Sequence, residues 1–539
     1  MQRKLSLSRK RLLAAVASTL AVSGLTVTPA LAGFTSLFDQ PPAAGFRNIS
    51  GPNTLVPPYV VGSSSAVTVQ SLLTTGDAGV GGYNMTGIPD ALATWKISSR
   101  SAVLLMNHEL SSDKGIVRAH GQKGSFVSRW VLNNDGKLIS GGDLIKSVKY
   151  WNGSEWSSAP AAGDAAAFNR FCSGSLATPG QLRHSTTVNG VLSRYGVSDP
   201  IYFANEEAGD NSRVFGVNVN TGEAMELPAL GRASWENVTV ASGTGVKTVT
   251  IGNEDGAVNQ SQVWLYSGTK KSSGNFAERA GLTGGNTYVV RINDVNGDRL
   301  ASDTAFRAAY SRGEAAPFTV ASIDTTKSGT AQNTEAGLVG TGLSRVEDGH
   351  FDPNNPNVYY FLTTAGGTSN SAGLSSGGLW KMVFNDVSNP QAGGTITLLL
   401  DSTSLPRYNG GTGLAMNMPD NLVVDGKGNI LIQEDPGNNA VISRIFAYRI
   451  SDGAFAEIAR FDANRFTPGA PQFITQDEES SGIIDASDLL GDNTFLFDAQ
   501  VHSAAELKAG TGKGTVEELV EGGQLLRLTV SNWTFVYGS

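Results

Sequence analysis

Residues 201–207 read IYFANEE, a short apolar run that ends in one amide and two carboxylates. Near-continuous runs of β-branched and aromatic residues are typical of strands buried on both faces. Turn-forming residues precede most segments of this kind, as in DPNNPN and DGKGN, so each segment is predicted to be a strand. Five other segments share the apolar run, most of them with an acidic or amide end, and they are VLLMNHE (103–109), VTIGNED (249–255), VYYFLTT (358–364), NILIQED (429–435) and TFLFDAQVH (494–502).

Six similar strands in one chain predict radial repetition, with loop insertions where the spacing is wide. We therefore predict an all-β fold, namely a six-bladed β-propeller with loop and short-helix insertions. A pair of large β-sandwiches is the alternative. Helical periodicity is scarce, and the clearest short helix candidate lies around residues 301–312. Gly supplies 65 of the 539 residues, which fits many turns between short strands.

The first 32 residues are predicted to be a signal peptide that does not belong to the fold. Five basic residues within positions 3–11 precede an apolar stretch, and an Ala-Leu-Ala cleavage site ends at position 32. Lys10 stands where a twin-arginine signal would have its second arginine, which favours Sec export and leaves Tat export open. Residues 33–539 are then one β-propeller domain with insertions, in the periplasm or secreted.

The charge balance argues against nucleic acid as a partner. The formal net charge of the chain is −8, and it becomes −13 when the five basic residues of the signal segment are removed, whereas phosphate backbones need a basic surface. No later segment reaches the roughly 18 apolar residues of a transmembrane helix. Cys172 is the single cysteine, so an intramolecular disulfide is excluded. We expect a monomer that acts on a small molecule.

A second set of polar residues lies upstream of the repeated strands. In the second repeat its candidate member is Cys172, and the only thiol therefore takes the place at which the other repeats carry a carboxylate. Those carboxylates precede their strands by 9 to 15 residues, and they are Asp90, Glu236, Glu347, Asp420 and Glu479.

Equivalent positions of different blades converge at one end of a propeller channel, so the two sets would form one polar cluster. Many carboxylates cannot stay together unneutralised, because like charges raise one another's pKa and desolvation adds to the cost. Bound cations remove this conflict. Oxygen ligands suit Ca²⁺, whereas a thiolate among them favours a softer ion such as iron or zinc.

Each of these residues also has an ordinary structural explanation. A single carboxylate after a strand is commonly a turn or cap residue, and a lone cysteine is commonly a small buried hydrophobe. Arg345, two residues before Glu347, would be either an ion-pair partner of Glu347 or Asp348 or a bidentate clamp for an oxyanion. Cys172 as a nucleophile would need a partnered histidine, of which the sequence gives no sign.

Nine short motifs follow one another along the chain, and they are NHE (107–109), Cys172-Ser173-Gly174, NEE (205–207), Trp235-Glu236, GNED (252–255), Arg345-Val346-Glu347, Pro419-Asp420-Asn421, Glu479-x-x-Gly482 and FDAQVH (497–502). In this order the set resembles the PhoX-type bacterial alkaline phosphatases. The resemblance implies a propeller with a mixed cluster of iron, as Fe³⁺, and Ca²⁺ that hydrolyses phosphomonoesters outside the cytoplasm. It also implies that Arg345 contacts the phosphate. The metal ligands that it implies are Cys172, Glu207, Glu236, Glu347 and Asp420, with Glu109, Asp90 and Glu479 as further members.

The chain departs from the family's pattern at several positions. The segment LRHSTTVNGVLSRYG is inserted after the cysteine motif, Met418 stands where the family often has Arg, and His502 follows Gln500 by two residues instead of one. We therefore expect a divergent member, an exported metal-dependent phosphatase that hydrolyses phosphate monoesters at an iron/calcium cluster in the channel. The alternatives are a calcium-dependent propeller hydrolase of the lactonase or arylesterase kind and a non-catalytic, calcium-stabilised surface protein.

Overall fold

Strands form most of the regular structure, and the all-β prediction is confirmed. The computed structural model describes residues 48–366, 377–402, 405, 413–505, 507, 510 and 512–538, which all belong to one compact unit, Ala44–Ser539. The predicted signal peptide lies outside the described residues, so the division of the chain at residue 32 stays a prediction. Within the described ranges, no helix combines the length and hydropathy that a bilayer crossing needs.

Each repeated segment forms the second strand of a mostly antiparallel unit, which we call a blade. The chain enters through β1 (Ile49–Ser50), β2 (Val60–Gly62) and β3 (Val67–Thr74). Blade 1 contains β4 (Pro89–Ser98), β5 (Ser101–His108), β6 (Phe126–Asn133) and β7 (Leu138–Asp143). Blade 2 contains β8 (Ser147–Trp151), β9 (Trp156–Ser157), β10 (Phe171–Ala177), β13 (Ile201–Glu206), β14 (Val214–Asn218) and β15 (Glu223–Glu226). A separate hairpin, β11 (Arg183–Val188) and β12 (Val191–Gly196), follows α1 (Pro179–Leu182).

The remaining four blades follow in chain order. Blade 3 contains β16 (Trp235–Val240), β17 (Lys247–Glu254), β18 (Val263–Thr269), β19 (Asn286–Ile292) and β20 (Ala315–Ile323). Blade 4 contains β21 (Val346–Asp352), β22 (Asn355–Thr363), β23 (Gly378–Phe384) and β24 (Gly394–Asp401). Blade 5 contains β25 (Pro419–Val424), β26 (Asn429–Glu434), β27 (Arg444–Arg449) and β28 (Phe455–Phe461), with β2 at its edge. Blade 6 contains β29 (Glu478–Asp485), β30 (Thr494–Val501) and β31 (Gly522–Val530), followed by β3 and β1.

The helices are short and lie in the connections. Among the described residues, single 3₁₀ turns occur at Pro228–Leu230 and Pro390–Ala392. The α-helices after α1 are α2 (Phe276–Arg279), α3 (Asp303–Ala309), α4 (Gly329–Val339), α5 (Ala463–Phe466), α6 (Ser487–Leu490), α7 (Val516–Leu519) and α8 (Trp533–Tyr537). The helix candidate around residues 301–312 is confirmed as α3.

The innermost strands of the six blades contact one another in a ring. In chain order the ring is β4, β10, β16, β21, β25 and β29, and β29 contacts β4 again. Strand β3 pairs with β31, so the first part of the described chain completes the last blade. This cyclic order is the arrangement of a six-bladed β-propeller.

The apolar core is divided among the interfaces between neighbouring blades. Phe203 and Trp235 belong to the cluster between blades 2 and 3, and Ile251 and Trp380 belong to the cluster between blades 3 and 4. The other four interfaces hold equivalent clusters. The strands are therefore buried on both faces, as their continuous apolar runs predict.

Insertions explain the uneven spacing of the repeats. The segment inserted after the cysteine motif forms the β11–β12 hairpin. Between β19 and blade 4 the chain adds α3, β20 and α4. Because β20 also pairs with β24, blades 3 and 4 share one nine-stranded sheet. The repeat pattern does not reveal this connection, since the pairing joins segments that are far apart in sequence.

A β-bulge opens most of the inner strands. In β4, β10, β16, β21 and β25 the pairing register shifts directly after the first residue, whereas in β29 it shifts between Ser481 and Ile484. A bulge sets two residues opposite one and bends the strand. In five blades, the second residue of the inner strand lies at this bend.

Gly482 lets blade 6 pass close to blade 1. Its φ is +63°, and a Cβ atom at this position would lie 2.4 Å from the backbone oxygen of Asp90. Both the left-handed backbone and the close approach require a residue without a side chain. The motif Glu479-x-x-Gly482 therefore has a steric cause at its second member.

We expect Gly482→Ala to lower the free energy of unfolding by at least about 2 kcal/mol, because left-handed backbone alone costs about 1–2 kcal/mol and the clash adds to it. Urea-induced unfolding measures the change. Gly426→Ala is the matched control, since no heavy atom lies within 4 Å of its ideal Cβ position. Equal stability of the two variants would contradict this explanation.

Candidate metal centre

The second residue of each inner strand belongs to one ring of equivalent positions, which we call the inner ring. Cys172 occupies this position in blade 2, between carboxylates of blades 1 and 3, and its side chain is buried. The structure thus gives the thiol the same place that the other blades give a carboxylate. The inner ring consists of Asp90, Cys172, Glu236, Glu347, Asp420 and Glu479.

The first residue after each second strand belongs to another ring, which we call the rim. In every blade the rim residue donates its backbone N–H to the carbonyl oxygen of the residue that lies two positions before the inner-ring residue, over 2.8–3.0 Å. The rim consists of Glu109, Glu207, Asp255, Thr364, Asp435 and His502. Glu109 and Glu207 are predicted ligands, whereas Asp255 and Asp435 were missed. Their place at the ends of VTIGNED and NILIQED was the signal that could have found them.

Seven of the eight predicted metal ligands fall into three overlapping triads. Within each triad, the candidate ligand atoms lie within 4.8 Å of one another. The triads share Cys172 and Glu236, so they form a continuous series and not three separate sites. Triad 1 is Asp90, Glu109 and Cys172; triad 2 is Cys172, Glu207 and Glu236; triad 3 is Glu236, Glu347 and Asp420.

Glu479 belongs to none of these three triads. Its Oε1 atom lies 3.4 Å from Gln500 Nε2, which also lies 3.4 Å from Asp90 Oδ2. Gln500 therefore bridges blades 6 and 1 on the side of the ring where no triad is found among the described residues. Gln500 lies within the motif FDAQVH, and no role was predicted for it.

The donor atoms fit bound cations. Asp90 Oδ1 and Asp420 Oδ1 are buried and accept no hydrogen bond within the described structure. A buried carboxylate oxygen without a partner is costly, and a cation would satisfy it. Triad 3 offers oxygen atoms only, which suits Ca²⁺, whereas triads 1 and 2 include a sulfur atom, which suits a softer ion such as iron.

Burial dominates the electrostatics of the cluster. It raises the pKa of Asp90, Glu236 and Asp420 well above the usual values, and neighbouring carboxylates raise these pKa values further. The pKa of Glu207 is raised to about 8 by burial, although the Arg170 guanidinium opposes the shift. Burial and the Asp90 charge also raise the pKa of the Cys172 thiol. Without cations, protons would have to neutralise these groups.

Asn421 supports the centre from a second polar layer in the channel. Its Nδ2 atom donates to Ser173 Oγ over 2.6 Å and lies 3.4 Å from Glu236 Oε1. Next to it, Asn237 Nδ2 donates to Asp348 Oδ1 over 2.6 Å. Asn421 thus contacts Glu236, the candidate ligand that triads 2 and 3 share.

Two partly exposed arginines border the triads. Arg345 binds Asp255 with both Nε and Nη2, over 3.0 and 2.8 Å, and its Nη2 lies 3.4 Å from Glu347 Oε1. Arg345 therefore forms the predicted ion pair with Glu347, but its main partner is Asp255, which was not predicted. Within the described residues, no ion pair joins Arg345 to Asp348. Arg170, which was not predicted, contacts the carboxylates of Glu109 and Glu207 through its Nη2 atom.

The fold and the site define a β-propeller with a buried cluster of candidate cation ligands at its channel. The family model described as Alkaline phosphatase PhoX matches residues 183–480, which is more than half of the chain. This chain therefore belongs to the PhoX alkaline phosphatase family. The matched segment includes Glu207, Glu236 and Arg345, whereas Asp90, Glu109 and Cys172 precede it.

Comparison with solved structures supports the fold. Pseudomonas fluorescens PhoX in complex with vanadate, a transition state analogue, aligns with a TM-score of 0.59 at 11% identity, over 86% of this chain and 95% of that one. A 6-phosphogluconolactonase candidate from Bacteroides uniformis ATCC 8492 aligns over 73% of this chain and 88% of that one at 12% identity, with a TM-score of 0.28, which is too low to carry an argument. No curated protein matches the chain.

We expect the stability of the metal-free protein to fall as the pH rises. A carboxyl whose pKa is raised by folding, as that of Glu207 is to about 8, favours the folded state below about pH 4.3 and loses this contribution as the pH passes its folded value. Urea unfolding in chelator at pH 5, 7 and 9 measures the effect.

Added Ca²⁺ should stabilise the protein more at pH 9 than at pH 5, with apparent affinity rising about tenfold per pH unit for each proton displaced. The control variant is Asp425→Asn, which removes a carboxylate that belongs to neither ring. Asp425 accepts the backbone N–H groups of Lys427 and Asn429 in a turn. A Ca²⁺ effect that does not change with pH would show that protons do not occupy the cluster.

Proposed function

We propose that this protein is a metal-dependent phosphatase that hydrolyses phosphate monoesters at an iron/calcium cluster in the propeller channel. The observation that carries the proposal is the series of three triads, two of which contain the Cys172 thiol. Beside the third triad, Arg345 presents its guanidinium group in a bidentate geometry. Membership in the PhoX family supports the phosphatase class. The likeness to a PhoX structure supports the same scaffold.

The donor chemistry supports the assignment of the two metals. Cys172 would hold iron through its sulfur, together with Asp90, Glu109, Glu207 and Glu236. The all-oxygen triad around Glu347 would hold Ca²⁺. When bound, such ions supply Lewis-acid activation of the phosphoryl group and of water.

Arg345 would bind and orient the phosphate. Its side chain is 31% exposed beside the triads, and its fork already engages a carboxylate in the bidentate geometry that a phosphate also offers. Cys172 would act as a ligand and not as a nucleophile, because burial among carboxylates raises the pKa of its thiol and disfavours a free thiolate.

We expect the purified protein to contain both iron and calcium, and Cys172→Ser to lose most of the iron. Loss of a side chain that binds the metal directly should lower kcat/KM for p-nitrophenyl phosphate by at least about a hundredfold. Mutation of residues that only hydrogen-bond to a metal ligand already costs about 10–100-fold in metal affinity or activity. Elemental analysis and steady-state kinetics measure both effects. Asp425→Asn serves again as control, because its carboxylate caps a turn.

Three results would contradict this proposal. One is full phosphatase turnover by iron-free protein. Another is hydrolysis of lactones without turnover of phosphate esters, which would favour the calcium-dependent lactonase class instead. The third is absence of turnover on every ester with a lowered melting temperature for Glu347→Ala, which would favour a non-catalytic role.

We also propose that the enzyme acts in the periplasm or as a secreted protein. The basic start, the apolar stretch and the small-residue cleavage site of residues 1–32 support export. N-terminal sequencing of protein recovered outside the cytoplasm should begin at Gly33. Recovery of the intact amino terminus from the cytoplasm alone would contradict this localisation.

A further inference from the structure

We infer that Arg170 is a second phosphate-binding residue, which contacts the phosphate from a different side than Arg345. The inference rests on the proposed phosphatase function and deepens it. It concerns how the site would select a monoester, since a monoester offers three non-bridging oxygens and a diester offers only two.

Arg170 and Arg345 occupy equivalent positions in different blades. Each lies two residues before an inner-ring residue, Cys172 in blade 2 and Glu347 in blade 4. Each has a left-handed backbone, with φ of 48° for Arg170 and 55° for Arg345, which is uncommon for residues other than glycine. In both cases the carbonyl oxygen accepts the backbone N–H of the rim residue of the same blade. The propeller therefore presents the two arginines from the same local backbone geometry.

The contacts of Arg170 divide into one that cations would leave intact and two that they would compete for. Its Nε donates to the backbone oxygen of Glu207 over 3.1 Å, and this bond fixes the direction of the side chain. Its Nη2 lies 2.6 Å from Glu109 Oε1 and 2.8 Å from Glu207 Oε2. Both carboxylates are candidate metal ligands. Cations bound to them would withdraw the charge that now holds Nη2 and free its N–H groups for an anion.

Exposure separates these arginines from those that only stabilise the fold. The side chains of Arg213 and Arg444 are 4% and 1% exposed and are paired with Glu206 and Glu434 inside blades 2 and 5. By contrast, the Arg170 side chain is 48% exposed. A ligand can reach Arg170 without unfolding any strand.

The two guanidinium groups flank the series of triads. Arg170 contacts members of triads 1 and 2, and Arg345 contacts a member of triad 3. A phosphate bound above the shared ligands would thus meet one arginine on each side. Charge-assisted hydrogen bonds from planar guanidinium groups suit this task better than those from an ammonium group.

The test uses the metal-loaded enzyme and inorganic phosphate as the probe. We expect Arg170→Gln to raise the inhibition constant of inorganic phosphate and the KM of p-nitrophenyl phosphate by about ten- to a hundredfold, the range for a lost hydrogen bond to a charged group. Iron and calcium contents should stay at wild-type values. Arg170→Lys should restore only part of the binding, and the ratio of monoester to diester hydrolysis should fall in both variants. Arg194→Gln, on the exposed β11–β12 hairpin, is the matched control.

The outcomes separate this inference from the proposed function. Wild-type phosphate binding by Arg170→Gln would overturn the inference alone. Loss of metal from Arg170→Gln, with full rescue of metal content and phosphate binding by Arg170→Lys, would also overturn it, because Arg170 would then only balance charge. If the wild-type enzyme neither binds phosphate nor hydrolyses the ester, the proposed function fails and the inference fails with it.

Discussion

Repulsion among buried carboxylates is the constraint on which the rest of this structure depends. Inner-ring and rim residues bring carboxylates from all six blades, together with one thiol, to one end of the channel. Burial, and then the charges of neighbouring carboxylates, raise the pKa of Glu236, Glu347 and Asp420. The arrangement is stable only if protons, arginines or cations neutralise it. The same requirement makes the cluster suited to bind cations.

The propeller tolerates this repulsion because contacts outside the cluster hold its blades in place. Apolar clusters between neighbouring blades hold the inner strands in place. Buried ion pairs such as that of Arg444 with Glu434 lie within the blades. The fold can therefore place like charges close together at the channel, because the stability of its core does not depend on them. The arginines at the border of the cluster differ from these, since their side chains are partly exposed and contact candidate ligands.

Much of the fold could be predicted because a propeller repeats its local pattern along the chain. The six apolar runs are the second strands, and the upstream residues Asp90 and Cys172 open two of the inner strands. The pairing of β20 with β24 could not be predicted, since it joins an insertion to a later blade. Asp255 and Asp435 were missed although they end repeated strands, because a single carboxylate after a strand is commonly a turn or cap residue and membership in a ring is visible only once the blades close. Arg170 was missed because no carboxylate follows it closely in the sequence, whereas Arg345, at the equivalent position in blade 4, lies two residues before Glu347.

The sequence by itself determined the repeated strands, the acidic composition of their ends and the single thiol among them, since these are local properties of residue type and spacing. The motifs also pointed to the family that the comparison then established. Only the tertiary structure decided which side chains meet. Closure of the ring sets Cys172 between Asp90 and Glu236, leaves Glu479 outside the three triads and brings Arg170 to two candidate ligands at once. Distances across the channel depend on bulges and on blade packing, and neither is encoded in the spacing of residues along the chain.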